Sequence, residues 1–143
     1  MIYNNKNKNS VRSELGDWVK GYSLENYKED WSYCLGLSYK YYVNDKSWRK
    51  NIKSVYIDLK KKDKDIKGFI FNELDISLSK LHHHLIIKSN LEINNFKRIV
   101  LNNWSKRGLV DVMEYDGKRD YCYYISKHYN KTNKNVFDIL DNI

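Results

Sequence analysis

Hydrophobic and polar positions alternate with period two over residues 31–43, WSYCLGLSYKYYV. Trp31, Tyr33, Leu35, Leu37 and Tyr39 stand against Ser32, Cys34, Gly36, Ser38 and Lys40. That pattern predicts a strand with one large-residue face and one small-residue face. Asn44 or Asp45 can cap a helix behind it, in which Trp48, Ile52, Val55, Tyr56 and Leu59 recur at helical spacing between basic residues. The run KKKDKD at 60–65 ends this helix as a solvated turn, and Gly68 opens a second strand, FIFNEL at 69–74. A third strand, KLHHHLIIKS at 80–89, is its expected antiparallel neighbour. Because strand side chains alternate, Leu81, His83, Leu85 and Ile87 take one face, and His82, His84 and Ile86 the other.

Helical spacing returns over residues 92–107, with Ile93, Phe96, Val100 and Trp104 on one face, Ile99 and Leu101 beside it, and Gly108 as a C-cap candidate. LVDVMEYDGKRDYCYYI then reads as a hairpin around Asp116-Gly117; where its second strand gives way to helix is left open. Residues 1–12 are polar and expected to fray, and residues 13–28 show no clean period and suit a short helix or an ordered extension. A basic tail, SKHYNKTNKN, leads to VFDILDNI, a short apolar helical turn. The expectation is one domain over residues 1–143, with a variable N-terminal extension at 1–28 and a C-terminal tail at 132–143.

Composition changes this picture in three ways. Hydrophobic residues at 41% and charged residues at 31% of a 143-residue chain are globular rather than disordered proportions. No apolar run approaches the ~20 residues of a membrane helix, and MIYNNKNKNS lacks the apolar core of a secretory signal. An intracellular protein without a membrane partner is therefore expected, in the cytoplasm of its host cell. The excess of 26 Lys and Arg over 18 Asp and Glu, net +8, favours an anionic partner, nucleic acid foremost. The 13 Tyr tilt the same way, since tyrosine stacks on unpaired bases, though it also fills cores. The absence of Pro, Ala and Gln beside abundant Asn, Lys, Ile and Tyr reads as low-GC coding. Individual Asn and Lys residues are then uninformative. Cys34 and Cys122 form no metal or disulfide motif and are expected as buried free thiols.

The three-histidine run is the most chemical feature. Residues i and i+2 of a strand lie about 6.5 to 7 Å apart on one side, so His82 and His84 can share a metal ion while His83 points away. A carboxylate would complete a hard-cation site, and Glu73 on the neighbouring strand is the natural candidate, with Asp75 behind it. An inert histidine cluster is the competing reading. In YCYYISK at 121–127, Tyr124 and Lys127 would share a face if the segment is helical, and Tyr123 would also reach Lys127. A phenol with an ordinary pKa near 10 needs help to act as a nucleophile, and a neighbouring ammonium and a metal-polarised phosphate supply it. A tyrosine-rich segment packing on the sheet is the plainer alternative.

Together these motifs resemble the HUH endonuclease superfamily, in particular the rolling-circle replication initiators (Rep proteins) of small viruses, phages and plasmids. YCLGLSY at 33–39 loosely matches the first motif, LHHHLII at 81–87 closely matches the second, and YISK at 124–127 matches the third. The resemblance spans residues 31–131 and implies an α+β fold, with a central antiparallel sheet of about five strands, RRM-like in outline, and packed helices. It implies that His82, His84 and Glu73 hold Mg2+ or Mn2+, and that Tyr124 attacks single-stranded DNA at a replication origin. The products would be a 5′-phosphotyrosine link and a free 3′-hydroxyl, with Lys127 offsetting charge at the phosphate. Tyr121 and Tyr123 are alternative or assisting nucleophiles. Host helicase and polymerase are the further partners it implies, since 143 residues leave no room for a helicase domain. Lys40, Lys88, Lys97, Arg98, Lys106 and Arg107 are candidate phosphate contacts.

Three rivals use the same residues differently. A winged-helix DNA-binding regulator would read FKRIVLNNWSKRGLV and the following hairpin as helix and wing, with Arg119 near the tip, but leaves the histidines without a role. A single-tyrosine transposase or a small relaxase would use the same histidines on other DNA. An iron oxygenase would use two His and a carboxylate, against the basic charge and the Tyr-Lys pair.

Overall fold

Strand β3, Lys80–Lys88, occupies the middle of the molecule. In the computed structural model the described residues are 2–75, 80–118, 121–126 and 137–143, the side chains of residues 2–13, Asp75 and Phe137 excepted. On one side β3 pairs antiparallel with β1, Tyr33–Ser38, and on the other with β2, Lys67–Asp75. β4, Val110–Glu114, adds to β1, and β5, Phe137–Ile139, adds to β2. The result is a five-stranded antiparallel sheet of order β4-β1-β3-β2-β5. Helix α1 spans Ile2–Tyr27, α2 Asp45–Lys60, α3 Ile93–Trp104 and α4 Tyr121–Ser126, and a 3-10 turn, Leu140–Asn142, follows β5. The run β1-α2-β2-β3-α3-β4 is a βαββαβ unit, and the α+β class expected from the sequence is the class observed.

Each sheet face has its own core. α2 and α3 cover one face, where Trp48, Ile52, Val55 and Leu59 and Phe96, Val100 and Trp104 meet Leu35, Leu37, Ile70, Leu85 and Ile87 of the strands. The helical spacings of the sequence account for this layer. α2 starts where expected, with the Asn44 side chain accepting a hydrogen bond from Ser47 N at 2.9 Å. The other face, left uncovered by the βαββαβ unit, is packed by α1 and α4. There Val19, Cys122 and Ile125 join Trp31, Phe69, Phe71 and Ile86.

Several expectations are corrected. The strand over residues 31–43 shortens to Tyr33–Ser38, and Trp31 leaves the large-residue face for the α1 side, its indole N–H donating to Val19 O at 2.7 Å. Residues 2–12 are helical backbone rather than a frayed end, and α1 runs on to Tyr27 with Val19 buried and Leu15 and Tyr22 partly buried against the sheet. The turn at 60–65 is not wholly solvated: Asp63 is buried and accepts hydrogen bonds from Ser89 Oγ and Asn90 N at 2.8 and 2.7 Å. Gly108 is no left-handed cap. It lies where a Cβ would stand 2.0 Å from Ser38 O, so close backbone approach excludes a side chain. The hairpin around Asp116-Gly117 is replaced by a strand, a turn and helix α4. The closing apolar segment is β5 plus a 3-10 turn.

Cys34 and Cys122 are buried free thiols as expected. Burial pushes them up to about 12 and about 11 respectively, so neither is a nucleophile near neutral pH. No helix among the described residues is long and apolar enough to cross a membrane.

Candidate active site

The alternation of β3 sorts the three histidines. His83 points into the α2/α3 core and is fully buried. Its Nδ1 lies 2.6 Å from Asn72 Oδ1 and its Nε2 2.8 Å from Tyr39 Oη. With both partners engaged, the ring is a neutral tautomer, the Tyr39 hydroxyl donating to Nε2 and Nδ1–H donating to Asn72. Burial, with the two neighbouring histidines, lowers its pKa to about 3, so it stays uncharged. Trp48, Tyr39 and Trp104 surround it.

His82 and His84 take the other face, with Ile86. Glu73 pairs across the strands with His82, and its Oε2 contacts His84 Nε2 at 3.0 Å, both side chains partly buried. The sequence-predicted set of His82, His84 and Glu73 is thus brought to one face of two adjacent strands. Two imidazoles and a carboxylate are a donor set suited to a divalent cation. Among the described residues no three His, Cys, Asp or Glu side chains converge as ligands, although Glu73 and His84 are in contact. The set fits an ion in kind and in face.

Helix α4 sets three tyrosines around this row, and each has a different fate. Tyr121 Oη donates to Leu85 O at 3.2 Å, and burial raises its pKa well above the ordinary value. Tyr123 turns to α1: its ring lies over Gly16, where a Cβ would overlap it, and its hydroxyl bonds Asp17. Tyr124 is 48% exposed, and its ring meets that of His84 edge to face, centroids 5.7 Å apart. Of the three phenols, Tyr124 is the one in ring contact with His84. Lys127 lies outside the described residues.

The candidate phosphate contacts do not gather around this face. Lys97 and Arg98 are exposed on α3, across the sheet from His84, and Arg98 bonds Asn95 at 2.9 Å. Arg107 follows α3 and donates to Asn103 O at 2.6 Å with its guanidinium 5.4 Å from the Trp104 ring. Lys106 and Lys40 are exposed beside it, Lys40 N donating to Arg107 O. Lys88 is ion-paired with Glu29 at 2.7 Å and holds that carboxyl below its ordinary pKa. Helix periodicity gives the apolar face of α3, but it does not say which sheet face carries that helix and so where Lys97 and Arg98 lie relative to the histidines.

Sequence reasoning missed the other wall of the site. Asp111 and Met113 of β4 line a cleft with His84, Tyr121 and Tyr124, floored by Cys34 and Gly36 of β1. The signal was present in the small-residue face of β1.

No family model and no curated protein match the chain. Among solved structures it is similar to the crystal structure of the hypothetical protein ORF119 from Sulfolobus islandicus rod-shaped virus 1. The TM-score is 0.51 at 15% identity, over 84% of this chain and 97% of that one. At that identity the likeness speaks for the fold alone.

Proposed function

We propose that this protein is a metal-dependent endonuclease that nicks and rejoins single-stranded DNA through a 5′-phosphotyrosine intermediate, initiating rolling-circle replication. The observation that carries the reading is the half-exposed Tyr124 phenol in ring contact with His84, which in turn contacts Glu73 on the face shared with His82. His82, His84 and Glu73 would hold Mg2+ or Mn2+, which when bound polarises the scissile phosphate. Tyr124 Oη forms a bond to phosphorus as the bond from phosphorus to the 3′ oxygen breaks. The electron pair of that bond stays on the 3′ oxygen, which takes up a proton to become a free hydroxyl, and the phenol gives its proton to solvent. Reversal of the same step rejoins the strand. α4 holds Tyr124 in place because Cys122 and Ile125 on its other side are buried in the α1-side core, and such pre-positioning is a large part of the rate of covalent catalysis. Lys127, three residues on in sequence, is the proposed counter-charge.

The winged-helix alternative is weakened because β4 joins the main sheet and is followed by α4, with no second wing strand among the described residues. The test is incubation with a pool of labelled single-stranded DNA in Mn2+ or in EDTA. The expected result is an SDS-resistant adduct in Mn2+ that is absent in EDTA and from His84→Ala. Salt-sensitive duplex binding, without an adduct and indifferent to His82→Ala, would favour the regulator instead.

A further inference from the structure

The cleft beside Tyr124 has a composition opposite to that of the protein as a whole. Where β4, β1 and β3 are in register, Asp111, Gly36 and His84 stand side by side on one face. Gly36 leaves a gap between the other two: a Cβ there would meet nothing nearer than Asp111 Cβ at 3.6 Å. The cleft above this gap has a volume of about 940 Å³, within the range of small-molecule sites. His84 and Tyr124 form one wall, and Asp111 and Met113 the other, with Glu114 at the end of β4. In a chain of net charge +8, this wall presents the Asp111 carboxylate, which repels a phosphate at close range. Aromatic rings, a thioether and a carboxylate acceptor suit instead a flat, uncharged ring with N–H donors on its edge. An unpaired nucleobase is such a ring.

We infer that this trough takes one unpaired base of the DNA strand next to the phosphate at Tyr124, with Asp111 accepting a hydrogen bond from an exocyclic amino group. The inference rests on the nicking reading for the strand it serves, and supplies what that reading lacks, a choice of base beside the cut. Cytosine and adenine carry such an amino group on the Watson–Crick edge, and thymine does not.

The test uses the full chain in EDTA with fluorescein-labelled 12-mers of dC, dA and dT, read by anisotropy. The wild type is expected to bind dC and dA about tenfold more tightly than dT, the discrimination of a charged hydrogen bond to a base edge. Asp111→Ala is expected to bring the ratio close to one, and Gly36→Val, which fills the gap, to weaken all three oligonucleotides, with circular dichroism confirming both folds. An unchanged ratio in Asp111→Ala, or wild-type binding by a folded Gly36→Val, would overturn the inference. Covalent capture in Mn2+ separates the two readings. An adduct with no Asp111-dependent preference removes the base trough and keeps nicking. A preference lost in Asp111→Ala without any adduct keeps a base-binding trough and removes nicking.

Discussion

At the scale of single residues, the two sides of β3 put neighbouring histidines in different physical states. His83 is held neutral by burial and by two hydrogen bonds, while His84 meets a carboxylate and a phenol at a partly open surface. Replacing His83 with Leu keeps the volume roughly but strands Asn72 Oδ1 in the core and leaves the Tyr39 hydroxyl with Asn51 alone, at 3.5 Å. The expected cost is roughly 1–3 kcal/mol of unfolding free energy, measured by urea denaturation; an unchanged midpoint would contradict it. That His83 faces away from His82 and His84 was legible from strand alternation alone. Its partners were not, because Asn72 and Tyr39 meet it only through the register of three strands. A second residue-scale case is Asp141, whose carboxyl is lowered to about 2, first by the Tyr56 hydroxyl and then by Lys60 and Lys67. A carboxyl depressed from its ordinary 3.8 stabilises the fold above that value and loses the contribution as pH falls toward 2. Asp141→Asn should therefore lower stability at pH 6 by at most about 1 kcal/mol, given its exposure. The difference from wild type should shrink as pH falls toward 2 and vanish below it, as thermal melts across pH would show.

At the scale of elements, the strands and the two central helices could be read from periodicity because their buried faces are continuous. α1 could not: its mixed pattern hides a helix that contributes Val19 and a row of partly buried tyrosines rather than a regular aliphatic stripe. The Asp116-Gly117 pair pointed to a hairpin, since local turn chemistry does not reveal whether the chain re-enters the sheet or climbs over it. Here Cys122 and Ile125 are buried at helical spacing under α1, and the helix prevails. Two glycines test the element packing in opposite directions. Gly108→Ala would drive a methyl group into Ser38 O and should cost roughly 1–3 kcal/mol. Gly21, inside α1 with nothing within 4 Å of a Cβ, should gain up to about 1 kcal/mol on substitution by Ala. Thermal melts of both variants decide the matter, and a neutral Gly108→Ala would show that β1 and the loop after α3 are less closely apposed than described.

At the scale of the whole molecule, a βαββαβ unit keeps its two helices on one face and offers the other for use. In this chain that second face is closed at the Phe69 and Phe71 side by α1 and α4 and left open over Gly36. The site is therefore made at the boundary between a covered and an uncovered half of one sheet face. The net charge of +8 favours a nucleic-acid partner, but the basic residues Lys97 and Arg98 lie on the far layer and Lys88 is paired with Glu29. Charge count alone could suggest the class of partner, not the surface. The histidines, the carboxylate beside them and the tyrosine of the candidate site were legible, because strand alternation and motif spacing are local. The acidic wall across Gly36 was not, because β4 reaches β1 only through the long-range order of the sheet.

The central claim is that Tyr124 is the attacking group. The most direct measurement is mass spectrometry of the protease-digested protein after incubation with single-stranded DNA and Mn2+, with Tyr124→Phe run in parallel. The account predicts a nucleotide-modified peptide carrying the phosphate on Tyr124. It also predicts no adduct in Tyr124→Phe, with single-stranded DNA binding retained. An adduct on Tyr121 or Tyr123, or one that persists in Tyr124→Phe, would contradict it.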